Sequence, residues 1–168
     1  MKKINFLIKL AKEGKLKAVY PSEEVREAYR QRSEESLSSS KMLLTHGNLK
    51  DSVALAYYAM YHQLLAALFR IGIKCENHTA SIILLQEVFG VNNEDIKKAK
   101  SERVDKQYYV DFQVTQEEVT QTIAIAEKFI GELHNTLATL NEKTIKEFHQ
   151  QAILLFTEEE REEASTSK

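Results

Sequence analysis

This 168-residue sequence predicts an all-α fold: an antiparallel up-and-down bundle of four to five main helices, with a short N-terminal helix and a C-terminal helical extension. Three observations carry that expectation. Glycine and proline are scarce, at five and one, so few positions break a helix. Between Asp51 and Gly72, the apolar residues Val53, Ala56, Met60, Leu64, Ala67, Leu68 and Ile71 recur at three- and four-residue steps, which is the stripe of an α-helix. Thr115-Gln116-Glu117-Glu118 forms a capping box ahead of a second periodic run, Val119, Ile123, Ala126, Ile130, Leu133, Leu137 and Leu140.

The elements follow in order. Residues 1–20 read as a short amphipathic helix, with Ile4, Leu7, Ile8 and Ala11 on one side, ending near Gly14. Pro21 and Ser22 open the first long helix, with Ser22 as N-cap and Glu23 and Glu24 at its positive end. It should run to about His46 and turn Val25, Ala28, Tyr29, Leu37, Met42 and Leu43 inward. A tight turn at Gly47-Asn48 leads into the central helix, 49–71, and so implies antiparallel neighbours. Alanines at 54, 56, 59, 66 and 67 let adjacent backbones approach, and Gly72 suits a left-handed cap. A third helix covers about 78–89 with Ile82, Ile83, Leu85, Val88 and Phe89, and Gly90 closes it. Asn92 or Asn93 caps a polar fourth helix over about 93–106, and 107–114 read as a loop. Beyond the capping-box helix, the pattern stays helical from Lys143 to Phe156, with Ile145, Phe148, Ala152 and Leu155 on one side. Residues 1–156 thus make one domain, and 157–168 a polar, frayed tail.

Composition narrows the function. A net charge of −2 gives no global attraction for nucleic acid, so any RNA contact needs a local basic cluster. The single cysteine, Cys75, rules out an internal disulfide and suits a reducing compartment. Residues 4–11 are too short, and too broken by Lys9, for a signal peptide or membrane span, so a cytoplasmic protein with no membrane contact is expected. No Glu precedes a His by three residues, as di-iron bundles require, and one Cys cannot make a zinc set. No P-loop, dinucleotide fingerprint or nucleophile elbow is present, and no cofactor or metal is expected.

The polar tips of the central helix, Tyr57, Tyr58, Tyr61 and His62, need partners if buried. His62 lies one turn beyond Tyr58 on the same face. It reads either as a hydrogen-bonded core residue or as part of a cleft shared with Arg103. His78 sits at the start of the third helix, where it can bond the backbone or the central helix, whereas His46, His134 and His149 have no partner at recognisable spacing. Arg103 stands in a helix of alternating charge with Lys97, Lys98, Lys100, Glu102, Asp105 and Lys106. It reads as a surface ion pair or, through its two parallel donors, as a phosphate grip.

The succession AYYAMYH at 56–62, Gly72 followed by five residues and His78-Thr79, and Arg103-x4-Tyr108-x3-Phe112-x-Val114-Thr115 resembles the HEPN domain. The likeness is to its small stand-alone archaeal and bacterial branch, and GKLKAVYPSEE at 14–24 looks like that branch's leader. It covers about residues 14–138. The resemblance implies a homodimer that sets two Arg loops across one cleft, and a toxin–antitoxin type system with a minimal nucleotidyltransferase partner. Active members carry Arg-x4–6-His: the Arg binds the scissile phosphate, and the His moves protons for attack by the ribose 2′-hydroxyl. The corresponding positions here are Tyr108, Tyr109 and Val110. A phenol of pKa near 10 is a poor general base at pH 7. The expectation is therefore a binding component for nucleotide, RNA or partner, with a degenerate ribonuclease motif. Arg103, Lys106 and Tyr109 would hold phosphate or nucleotide. The alternative is a metal-independent ribonuclease using another base such as His62, with Arg103, Tyr108 and His62 as its catalytic set. The resemblance also makes Tyr108 or Tyr109 possible acceptors of AMP from the partner; the other reading of these rings is packing of the 107–114 loop against the bundle.

Overall fold

The structure, a computed structural model, describes residues 2–108 and 113–157. Seven helices occupy the described residues: α1 (Lys2–Lys12), α2 (Glu23–Thr45), α3 (Leu49–Arg70), α4 (His78–Phe89), α5 (Glu94–Tyr108), α6 (Gln116–Ala138) and α7 (Glu142–Phe156). Two three-residue strands, β1 (Leu16–Ala18) and β2 (Ile73–Cys75), pair antiparallel, with Leu16 opposite Cys75 and Ala18 opposite Ile73. These strands are too short to show alternation, and their pairing joins segments far apart in sequence, so periodicity does not reveal them.

The caps follow from sequence chemistry. Ser22 accepts the Val25 N–H and starts α2, and Asn77 accepts the Ala80 N–H and starts α4. Thr115 and Glu118 close their capping box reciprocally. A further capping box, at Asn141 and Thr144, begins α7 as a separate helix. Gly72, at φ +75°, is required by crowding as well as by its backbone angle: a β-carbon there would come within 2.5 Å of the Val19 carbonyl oxygen and 3.0 Å of His149 Nδ1.

The central helix α3 forms the core. Val53, Ala56, Met60, Leu64, Ala67, Leu68 and Ile71 are all fully buried, each large side chain contributing about 1.5–3 kcal/mol. α3 is long and apolar enough to cross a membrane, but it is mostly buried inside the protein. α2 packs along it antiparallel. Ser40 pairs with Ser52 and Ser33 with Ala59, so seven residues back along one helix match seven forward along the other. The buried face of α2 is a serine row, Ser33, Ser36 and Ser40. That corrects the expectation that Ala28 and Met42 face inward: both are exposed, Met42 to 59%. Small hydroxyls that bond carbonyls of the opposite helix allow a closer approach than an apolar stripe would. α7 packs on α1, α4 and β1, with Ala152 and Phe156 buried and His149 Nδ1 2.7 Å from the Ile71 carbonyl oxygen. His149 therefore has a partner that its spacing in the sequence does not reveal. α5 continues through Tyr108, two residues past the expected boundary, so 107 and 108 are helical rather than loop.

Candidate anion site at the junction of α3, α4 and α5

Three helices bring the candidate side chains together. α3 presents Tyr57, Tyr58, Tyr61 and His62 from consecutive turns, α4 begins with His78 and Thr79, and α5 contributes Lys100 and Arg103 one turn apart. Asn93 fixes α5 beside α4 by donating from its side-chain nitrogen to the Ile82 carbonyl at 3.0 Å.

Arg103 is not the surface ion pair that alternating charge suggests. It is half-buried, and its Nη1 donates to the Tyr58 hydroxyl at 2.5 Å. The guanidinium carbon lies 5.3 Å from the Tyr57 ring centroid and 5.2 Å from that of Tyr58, within cation–π range. Its Nε and Gln63 Nε2 are the two buried side-chain nitrogens without a hydrogen-bond partner among the described residues. Lys100 donates to Thr79 Oγ1 at 2.6 Å, and burial together with the nearby Arg103 charge pulls its pKa down. Among the described residues neither cation meets a carboxylate. By contrast, Lys97, which lines the α4–α5 groove from the preceding turn, pairs with Glu94.

His78 is held on two sides. Its Nδ1 lies 2.6 Å from the Tyr57 hydroxyl, and its ring stacks on Tyr61 at 3.8 Å between centroids. Burial, then the charges of Arg103, Lys100 and His62, push its pKa down to about 4. It is therefore neutral at pH 7. Burial also raises the Tyr57 pKa, so its hydroxyl keeps its proton. That hydroxyl has no other acceptor among the described residues; it donates to Nδ1 and assigns the ring proton to Nε2. His78 thus offers a donor, as do Lys100 and Arg103. Tyr61, pushed up to about 12 mainly by burial, likewise stays a neutral phenol.

His62 sits one step further out. It is half-buried, its Nδ1 is 3.3 Å from Ser36 Oγ, and it stacks with Tyr58 at 6.0 Å and Tyr29 at 6.2 Å. Burial and the Arg32 charge lower its pKa. Its link to Arg103 runs through Tyr58. Lys106 and Tyr108 belong to the last turn of α5, with side chains outside the described residues, and Tyr109 and Val110 lie outside them altogether. The structure therefore assembles Arg103 with Tyr57, Tyr58, His78 and Lys100. Residue spacing alone does not tie Lys100 or Tyr57 to Arg103; the available signal is a Lys one turn before Arg103 and a Tyr beside Tyr58. No group of three or more His, Cys, Asp or Glu among the described residues is placed to hold a metal ion.

The HEPN domain model matches residues 26–143, from the first turn of α2 to the start of α7; the leader at 14–24 precedes the match. A Methanocaldococcus jannaschii protein named "Putative toxin MJ0605" is 30% identical over 112 residues, which span 62% of this chain and 83% of that protein. "UPF0332 protein PH1297" of Pyrococcus horikoshii is 44% identical over 50 residues, 30% of this chain and 35% of that protein. With the match extending over most of the chain and including every helix of the Arg103 cluster, the chain belongs to the HEPN domain family.

Proposed function

We propose that the Arg103 cluster binds the phosphate of a nucleotide or RNA. In this reading the protein is the binding component of a toxin–antitoxin type pair with a minimal nucleotidyltransferase, without the ribonuclease chemistry of the family motif. One observation carries it: two cations, Lys100 and Arg103, stand together in a half-buried cluster with no carboxylate partner among the described residues. Such charge is costly unless an anion compensates it. The donors fit a phosphate. Arg103 has used Nη1 on Tyr58 and Lys100 one proton on Thr79, which leaves each with further N–H groups, and His78 adds Nε2–H. The toxin name of the M. jannaschii relative supports the partner system.

The same hydrogen bonds argue against catalysis. General-base attack by a ribose hydroxyl needs a group that accepts a proton near pH 7. His78, with Nδ1 occupied and its pKa near 4, does not serve. The test is incubation of the protein with single-stranded and structured RNA in EDTA, beside calorimetric titration with AMP. Intact RNA and measurable AMP binding are expected. Cleavage that disappears in His62→Ala would overturn the reading and make His62 the base.

The protein is further proposed to act as a homodimer. The central stripe is consumed within one chain and α7 docks on its own α1 and α4, so neither supplies the contact. The half-buried rings of Tyr29, His62 and Phe69 on the outer side of α2 and α3 offer a suitable surface. A mass near 19 kDa by light scattering at micromolar concentration would refute it.

A further inference from the structure

We infer that the groove between α4 and α5 seats the base of a nucleoside monophosphate whose phosphate the Arg103 cluster holds; this rests on the phosphate-binding reading above. The groove measures about 370 Å³, within the ~300–1,000 Å³ range of small-molecule sites. Ile82, Ile83 and Val104 supply its apolar lining, and Thr79, Lys97, Lys100 and Ser101 its polar lining. Lys100 belongs to both places. It lines the groove, bonds Thr79, and is near enough to Arg103 to feel its charge. On α5, Lys100, Ser101 and Val104 share one face and Arg103 lies on its shoulder, so an anion site and an apolar slot adjoin within one helical turn.

A ligand that fills both carries an anionic group beside a flat apolar body. The hydroxyls of Thr79 and Ser101 in the polar lining match the polar edge of a nucleobase, which an acyl chain lacks. The slot is short and open, with branched aliphatic side chains for a ring face to rest on. These features select a base over a lipid tail.

Titration with inorganic phosphate, ribose 5-phosphate and AMP tests this. In the wild-type protein, AMP should bind about tenfold tighter than ribose 5-phosphate, from burial of the base. Ser101→Phe places a ring in the groove from an exposed position, away from the core. It should abolish the AMP advantage while ribose 5-phosphate binds as before, and Ile83→Ser should reduce the advantage in the same sense. Equal affinities for AMP and ribose 5-phosphate in the wild-type protein would overturn the groove assignment and leave the phosphate site standing. Unchanged binding of all three probes in Arg103→Ala would sink the phosphate site itself. A change in molar mass in Ser101→Phe with AMP binding intact would make the groove a contact between copies, and would also overturn the inference. A 5′-phosphorylated oligoadenylate separates the sources of the same chemistry: affinity equal to AMP identifies free nucleotide, and tighter binding identifies an RNA end.

Discussion

The two flanks of α3 bury polar groups in opposite ways. Toward α2, the buried serines are answered. Ser40 Oγ donates to the Ser52 carbonyl and Ser52 Oγ to the Ser40 carbonyl, both at 2.7 Å, and Ser33 Oγ donates to the Ala59 carbonyl at 2.7 Å. Toward α5, two cations one helical turn apart meet only hydroxyls among the described residues, and Arg103 Nε has no partner among them. A reciprocal network fixes helix spacing and register, because every member is satisfied without a ligand. A network left with surplus donors and unbalanced charge is less stable than it could be, which is why we propose it as the binding site. Burial alone does not separate the two flanks; satisfaction does.

The contrast can be broken by substitution. Ser40→Leu should be the most damaging change, because it overpacks a close helix contact and removes the bond from the Ser40 hydroxyl to the Ser52 carbonyl. A loss of about 3 kcal/mol is expected in urea unfolding. Unchanged stability would mean that the serine row does not set the α2–α3 distance. Arg103→Ala should reduce AMP affinity by about ten- to a hundredfold, the loss of a charge-assisted contact worth about 1.5–3 kcal/mol. Because Arg103 is half-buried over two rings, its stability effect is not that of a surface residue. Loss of the cation–π contact opposes relief of the repulsion from Lys100, and the melting temperature should move by only a few degrees. Arg103→Lys should recover little affinity, since a point charge lacks the fork.

The smallest effect concerns pH. The pKa of His78 lies near 4 when folded, against an ordinary value near 6.5, so the unfolded chain binds more protons between those values. Its contribution is complete above about pH 6.5 and is lost as pH falls toward 4. Discounted for its partial exposure, the loss is about 1–2 kcal/mol. His78→Gln should flatten the stability curve over that window. A curve of unchanged slope would show that His78 is as easily protonated in the folded protein as in water.

What the sequence makes legible tracks how local the cause is. The α3 stripe, the Thr115 capping box, the Ser22 cap and the helix stops at Gly72 and Gly90 are set by residues within a few positions, and each stands where expected. The β1–β2 pair, the inward serines of α2 and the capping box at Asn141 are less visible. The strands need pairing across distant segments, and the serine row reads as a solvated face until the opposing carbonyls are known. The site divides the same way. Arg103, Tyr58 and His62 stand out from spacing and residue type. The Tyr57–His78 bond and the Lys100–Thr79 bond each join residues 21 apart on different helices. No periodicity reports such a contact.

The thin apolar anchoring of α5 has a consequence for motion. Ile96 and Ala99 are its buried apolar residues among those described, and polar links through Asn93, Lys100 and Arg103 supply much of the remaining attachment. Helices held in this way open at a fraction of the global unfolding free energy. Amide hydrogens of α5 should therefore exchange faster than those of α3. A phosphate gripped jointly by His78 on α4 and by Lys100 and Arg103 on α5 would staple the two helices, slowing exchange in α5 while leaving α3 unchanged. Occupancy would then be readable as local order, at a helix whose sequence is among the most polar in the chain.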